Sequence, residues 1–310
     1  MNTQSNAVPG SFGVPGEAAV PFPATRLFSW LVRRELWEHR SIYIAPLAVA
    51  GVALFGALIE VLTLPHRMRG FLVTLDPMHQ RELLEQPYMM VAGFMMLTAM
   101  LVGAFYCIEA LHGERRDRSI LFWKSLPVSD LMTVLSKMSI PVFVLQLIAF
   151  VATLAVQWIM LLLSSAVLLG SGMSPAMLWT RLPIVQMSVM LLYHLLILHG
   201  LWHAPFYAWF LMVSSWAKRA PFLWAVVPPL AIGIAEKIAF NTSYFASMLW
   251  NHLGGSPDAG SQAQSGSMSN MLGRFEPVRL LTAPELWAGL AVTAIFLAVA
   301  VRLRRYREPI

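Results

Sequence analysis

Two histidines four residues apart are where chemistry could sit in this chain: HGLWH, His199 to His203, with Tyr207 a further four residues on. Spacing of i, i+4 places both imidazoles on one helical face, and Tyr207 continues the stripe. Imidazole is a common metal ligand, but two ligands alone do not hold a structural or catalytic metal tightly. The other six histidines, at 39, 66, 79, 112, 194 and 252, are scattered, and His194 points away from the 199/203 face. A histidine-based membrane metalloenzyme would need further histidine clusters, so packing or interhelical hydrogen bonding is the favoured reading. Gln146 and Gln157 lie eleven residues apart, which returns them to nearly the same helical face. They either bond a neighbouring helix or line a polar path. No G-x-x-x-x-G-K-[ST] loop occurs, so the chain carries no phosphate-loop signature of its own. The single cysteine, Cys107, excludes an intramolecular disulfide.

The elements that must position these residues are membrane helices. The chain has 310 residues, 57% hydrophobic and 12% charged, with a mean hydropathy of +0.63. A soluble chain carries about 25% charged residues. Backbone amides in hydrocarbon must be satisfied within their own segment, so apolar runs of about 20 residues read as spanning helices. No alternation of a membrane barrel is present. The expected fold is therefore an all-α integral membrane protein with six spans, at about 42–63, 88–111, 140–169, 183–215, 221–240 and 284–303. The fourth run is too long for one crossing and is either one long tilted helix or a hairpin of two.

Fifteen Lys and Arg fall on one side of six spans: Arg26, Arg33, Arg34, Arg40, Arg115, Arg116, Arg118, Lys124, Lys137, Lys218, Arg219, Arg302, Arg304, Arg305 and Arg307. Six fall on the other: Arg67, Arg69, Arg81, Arg181, Arg274 and Arg279. The positive-inside bias makes the richer side cytoplasmic, with both termini there. It also accounts for the net charge of +6 without nucleic acid as a partner. Residues 1–24 lack Lys and Arg and read as a disordered cytoplasmic tail. Residues 25–303 form one transmembrane domain, and 304–310 a basic tail. Residues 25–40 carry Arg26, Ser29, Arg33 and Arg40 on one stripe, with Leu27, Phe28, Trp30 and Leu31 mostly opposite. That suits a helix lying along the headgroups, although Arg34, Glu35 and Glu38 spoil its apolar face. The largest outer loop, 241–283, holds a flexible linker from Gly254 to Asn270, with apolar flanks Tyr244 to Leu253 and Met271 to Leu281 that can dip into the interface.

Between the second and third spans lies a cytosolic segment, Glu114 to Lys137. Asp117 can cap a short helix over 118–126, Pro127 stops it, and Ser129 with Asp130 starts the next. This short helix carries Ile120, Leu121, Phe122, Trp123 and Leu126, with Arg118 and Lys124 bracketing the apolar centre. Four consecutive bulky apolar residues need a surface beyond the loop, either the bilayer or a partner protein.

Several of these features resemble the permease subunits of ABC transporters of the type 2 exporter class. They are Arg34–Glu35 before the first span, the segment 114–137 with its Leu126–Pro127–Val128–Ser129 turn, six spans, and the largest outer loop before the last span. The final stretch APELWAGLAVTAIFLAVAVRLRRYRE adds to them. The resemblance implies an elbow helix before the first span and a coupling helix at 118–126 that sits in a cleft of a separate ATPase. It also implies two permease chains, as a homodimer or heterodimer, with two P-loop ATPase subunits that bind ATP and Mg. This chain would then hold no cofactor, do no covalent chemistry and reside in a bacterial inner membrane. The alternatives are the histidine metalloenzyme and an ATPase-independent carrier or scaffold. An ion-coupled carrier would need acidic residues at mid-span.

Overall fold

The computed structural model describes residues 23–74, 77–120, 128–253 and 281–306. Residues 1–22 of the tail expected at 1–24, the linker Gly254–Asn270 and residues 121–127 lie outside them. Every regular element among the described residues is helical. In chain order these are α1 (Ala24–Glu38), α2 (Ser41–Thr74), α3 (Pro77–Arg116) and α4 (Asp130–Ser139). A first π-helical segment (Ile140–Val144) leads into α5 (Leu145–Gly170), followed by α6 (Ala176–Arg181) and α7 (Ile184–Tyr193). A second π segment (His194–Trp202) precedes α8 (Ala204–Trp216), α9 (Pro221–Phe240), α10 (Tyr244–Leu253) and α11 (Pro284–Tyr306). Six helices are long and apolar enough to cross a membrane.

The helices run beyond the apolar windows. α2 has 34 residues and α3 has 40, about 50 and 60 Å of helix against an apolar core of about 30 Å. Charged residues end an apolar window but do not end a helix, so the hairpin of α2 and α3 extends past it. The fourth run is one helical path interrupted at His203. α7 passes into the second π segment, His203 leaves helical geometry with ψ near 1°, and α8 continues from Ala204. α7 packs on α5, whereas α8 packs on α3 and α11, so the two are not a hairpin.

Pro141 explains the first π segment. It has no amide to donate, so the helix reorganises around it. The Ile140 amide bonds the carbonyl of Lys137, and the Leu145 amide bonds that of Ile140, one tight turn and one wide one. The two π segments then meet: a Cβ on Gly200 would stand 2.5 Å from the Val142 carbonyl oxygen. Only glycine permits that approach.

The buried core falls into separate clusters along the bundle. Ile42, Met138, Ile140, Leu145, Leu195, Tyr207 and Leu211 fill one, and Leu84, Tyr88, Met95, Val156, Met160 and Met187 another. Large apolar residues such as Phe55, Leu62, Phe94, Phe105 and Leu147 lie exposed on the flanks, which suits lipid contact. α9 buries only Ala225.

Candidate functional site

The most developed polar site lies at the end of the bundle that carries Arg40, Arg116 and Arg304. α1 turns two buried residues inward, Leu31 and Glu35. The Glu35 carboxylate accepts from the Tyr106 hydroxyl at 2.8 Å and from Lys137 Nζ at 2.9 Å. Lys137 is 1% exposed and reaches Glu114 Oε1 as well, at 3.1 Å. Glu114 also receives Arg34 Nη2 and Arg304 Nη2, both at 3.2 Å. Arg304 spans to Asp130 with its other terminal nitrogen. Three carboxylates, of Glu35, Glu114 and Asp130, thus meet three cations, of Arg34, Lys137 and Arg304. The charges balance, as buried charges must. His39 stands at the edge, its ring 5.0 Å from that of Tyr106 in an edge-on arrangement. Burial holds its imidazole below the ordinary pKa, against the pull of Glu35.

A second set of bonds ties the same end of α3 to α8. The Ser214 hydroxyl accepts from the amides of Leu111 and His112. Arg115 Nη1 donates to the carbonyls of Ser215 and Ala217 at 2.9 and 3.3 Å. These are terminal carbonyls of α8, where a cation is favoured. The end of α3 is therefore bound to α1, α4, α8 and α11 at once.

α3 leads directly into the segment that stood out in the sequence. The Asp117 carboxylate pairs with Arg116 Nε, and the rest of the helix expected over 118–126 lies beyond Ile120, outside the described residues. Arg118 takes a left-handed conformation, φ 57°, and is exposed. Ile120 is 1% exposed and packs within the chain. Leu121, Phe122, Trp123, Lys124 and Leu126 lie outside the described residues. Ser129 begins α4, its hydroxyl accepting from the Met132 amide.

The stripe expected from HGLWH takes a different form. The rings of His199 and His203 stack with centroids 5.2 Å apart. No group of three or more His, Cys, Asp or Glu among the described residues could hold a metal. Tyr207 is buried with its ring against Gly103 and Pro141's helix. Neither its hydroxyl nor the Gln146 amide oxygen makes an aligned hydrogen bond among the described residues. Gln146 instead donates to the Pro141 carbonyl of its own helix at 2.9 Å, and Gln157 to the Tyr88 carbonyl of α3 at 3.2 Å. The two glutamines share a face yet do not converge, being about 16 Å apart along the axis.

Reading from sequence missed Glu35, Glu114, Lys137 and Arg304 as one site. The available signal was a set of opposite charges at the same ends of four helices. No protein-family model, no curated protein and no solved structure matches the chain.

Proposed function

We propose that the chain is the membrane-spanning permease subunit of an ATP-driven exporter, working as a pair of permease chains with a separate ATPase. The observation that carries this reading is the ion cluster at the basic end. Its members flank the segment 117–129 on both sides: Glu114 just before it, Asp130 and Lys137 just after it. The segment is thereby mounted on a rigid block that also includes α1 and α11.

A block of this kind suits force transfer. If ATP binding closes a pair of ATPase subunits against 117–129, the displacement passes into α3 and α4 together. Both are locked to α1 through Glu35 and Arg34, and to α11 through Arg304. α1 then acts as an elbow helix and 118–126 as the coupling helix, with the apolar residues 121–123 as the anchors toward the partner. The basic end faces the cytoplasm in this reading, as the excess of Lys and Arg requires. ATP and Mg are held by the partner, because the sequence has no phosphate loop.

The metalloenzyme reading has less support, since His199 and His203 gather no further ligand among the described residues. An ion-coupled carrier has less as well, because the stretches 88–108, 140–170 and 184–216 contain no acidic residue. The test is purification of the chain from its native membrane in mild detergent, with identification of the proteins that accompany it. A P-loop ATPase in equal amount is expected. A chain that transports in vesicles with no ATPase present contradicts the reading.

A further inference from the structure

The tip of α10 is held by few contacts, and one of them has an unusual donor count. α10 leaves the end of α9 and folds back along it, with Gly233 of α9 facing Phe245 and Ala246. The Glu236 carboxylate fixes the turn by accepting from the Thr242 hydroxyl and the amides of Tyr244 and Phe245. From there ten residues reach back about 15 Å. None of them is buried.

At the far end the last carbonyls of α10 have no partner within the helix and meet side chains of the fourth run. Trp202 Nε1 donates to the His252 carbonyl at 2.8 Å, and the two rings stack at 4.8 Å. His252 Nε2 lies 2.8 Å from the Trp202 carbonyl oxygen. His203 Nε2 lies 3.1 Å from the carbonyl oxygen of Leu253, the last residue of α10. Its Nδ1 lies 2.7 Å from the carbonyl oxygen of Leu198, in the second π segment.

Both neighbours of the His203 ring are acceptors. A neutral imidazole has one N–H and one lone pair, so in that form one of the two contacts opposes two lone pairs. The imidazolium donates at both. The last carbonyls of α10 also carry the negative end of the helix dipole, where a cation is favoured. The geometry points to His203 as a proton-binding site whose occupied form clamps the tip of α10 to the second π segment. A proton from solvent adds to the ring nitrogen that lacks one, the ring gains one positive charge, and nothing else is consumed.

The surroundings make this site responsive. The titratable groups nearest it are His199, stacked on it, and His252 on α10, with His194 further along the π segment; Glu285 lies in the first turn of α11, four residues before Gly289, which packs on His252. Positive charge on one of two neighbouring imidazoles disfavours charge on the other. The stretches 88–108, 140–170, 184–216, 244–253 and 286–301 contain no Asp, Glu, Lys or Arg. Among the described residues the ring's two bonded neighbours are carbonyl oxygens, whose dipoles favour the proton. The clamp is therefore complete when the ring carries both N–H groups and weakened when it carries one. Release frees the junction where His252 and Pro205 crowd Gly289 of α11.

The test places spin labels at Met248 on α10 and Ile295 on α11, both exposed, in the full chain in lipid nanodiscs. Pulsed EPR distances are read at about pH 5 and about pH 8, the range over which histidine titrates. In the wild type one docked distance is expected at the acidic end. The ratio of released to docked α10 should rise about tenfold at the alkaline end, as loss of a charge-assisted hydrogen bond implies. His203→Gln should give the same distribution at both pH values, and His199→Gln should keep the response. Nitrogen-15 spectra of the wild-type rings supply a reading that needs no variant to fold: the acidic state should show a histidine protonated at both nitrogens. A wild-type distance distribution that does not change with pH overturns the proposal, and so does a docked state in which every ring is a neutral tautomer.

Discussion

The charges at the basic end and the imidazoles at the tip of α10 face the same difficulty, polar groups withdrawn from water, and meet it in opposite ways. At the basic end three carboxylates are matched by three cations, and Lys137 is shared between Glu35 and Glu114. At the tip of α10 an imidazole stands between two carbonyl oxygens and bonds no carboxylate among the described residues. A matched set holds its geometry whatever the solvent does, because altering any one charge strands its partners. An unmatched group can gain or lose a proton without stranding anything. The first arrangement suits transmission of force, and the second suits response to conditions.

The contrast is broken most severely at Lys137. Lys137→Ala leaves Glu35 and Glu114 buried beside one another with their shared cation gone. It should cost about 3–5 kcal/mol, the usual penalty for removing one partner of a buried pair. Denaturant or thermal unfolding in detergent measures it. A loss below about 1 kcal/mol would mean that water reaches the cluster and that it is no rigid block. Lys137→Ala with Glu35→Gln should then cost less than the sum of the separate changes, because the two groups share one network.

Gly200→Ala comes next. The added methyl would meet the Val142 carbonyl oxygen at 2.5 Å and push the two π segments apart, at about 1–3 kcal/mol. It should leave the basic end untouched, so any ATPase association should persist. Gln157→Leu is the mildest. It deprives the Tyr88 carbonyl of the Gln157 amide bond, worth about 1 kcal/mol in a membrane bundle. Loss of transport with unchanged stability would instead favour a polar path through that position.

The sequence carried the architecture further than it carried the sites. Six apolar runs were legible because hydrocarbon leaves a backbone few choices, and all six appear as long helices. Helix ends were not legible. Arg67 and Arg69 close the first apolar window, but α2 continues to Thr74. Glu35 was misread for a similar reason. A charge on the apolar face of α1 looks like a flaw in an interfacial helix, unless Lys137, 102 positions away, is known to reach it. Lys137 and Arg304 were counted as topogenic charges, a role that hides any second one. Pro141 signalled a disturbance, yet whether a helix kinks, stops or widens at proline depends on what packs beside it. His203 was visible from its spacing, but its two carbonyl neighbours are set by α10 and by the π segment.

The central claim is that the segment after α3 docks a separate ATPase, and its apolar residues test it most directly. If the proposal holds, Phe122→Ala with Trp123→Ala should leave the chain inserted and paired but separate it from the proposed ATPase. Buried aromatic anchors cost about 2 kcal/mol or more each on truncation, so two together should weaken association roughly a thousandfold. Lys124→Ala alone should cost under about 1 kcal/mol if that side chain lies on the solvated rim. The measurement is recovery of ATPase with the purified permease, alongside ATP hydrolysis by the reconstituted complex. The account predicts that the double variant loses both while the lysine variant keeps both. Full recovery of ATPase and of hydrolysis with the double variant would contradict it, and would make the segment a helix resting on the bilayer.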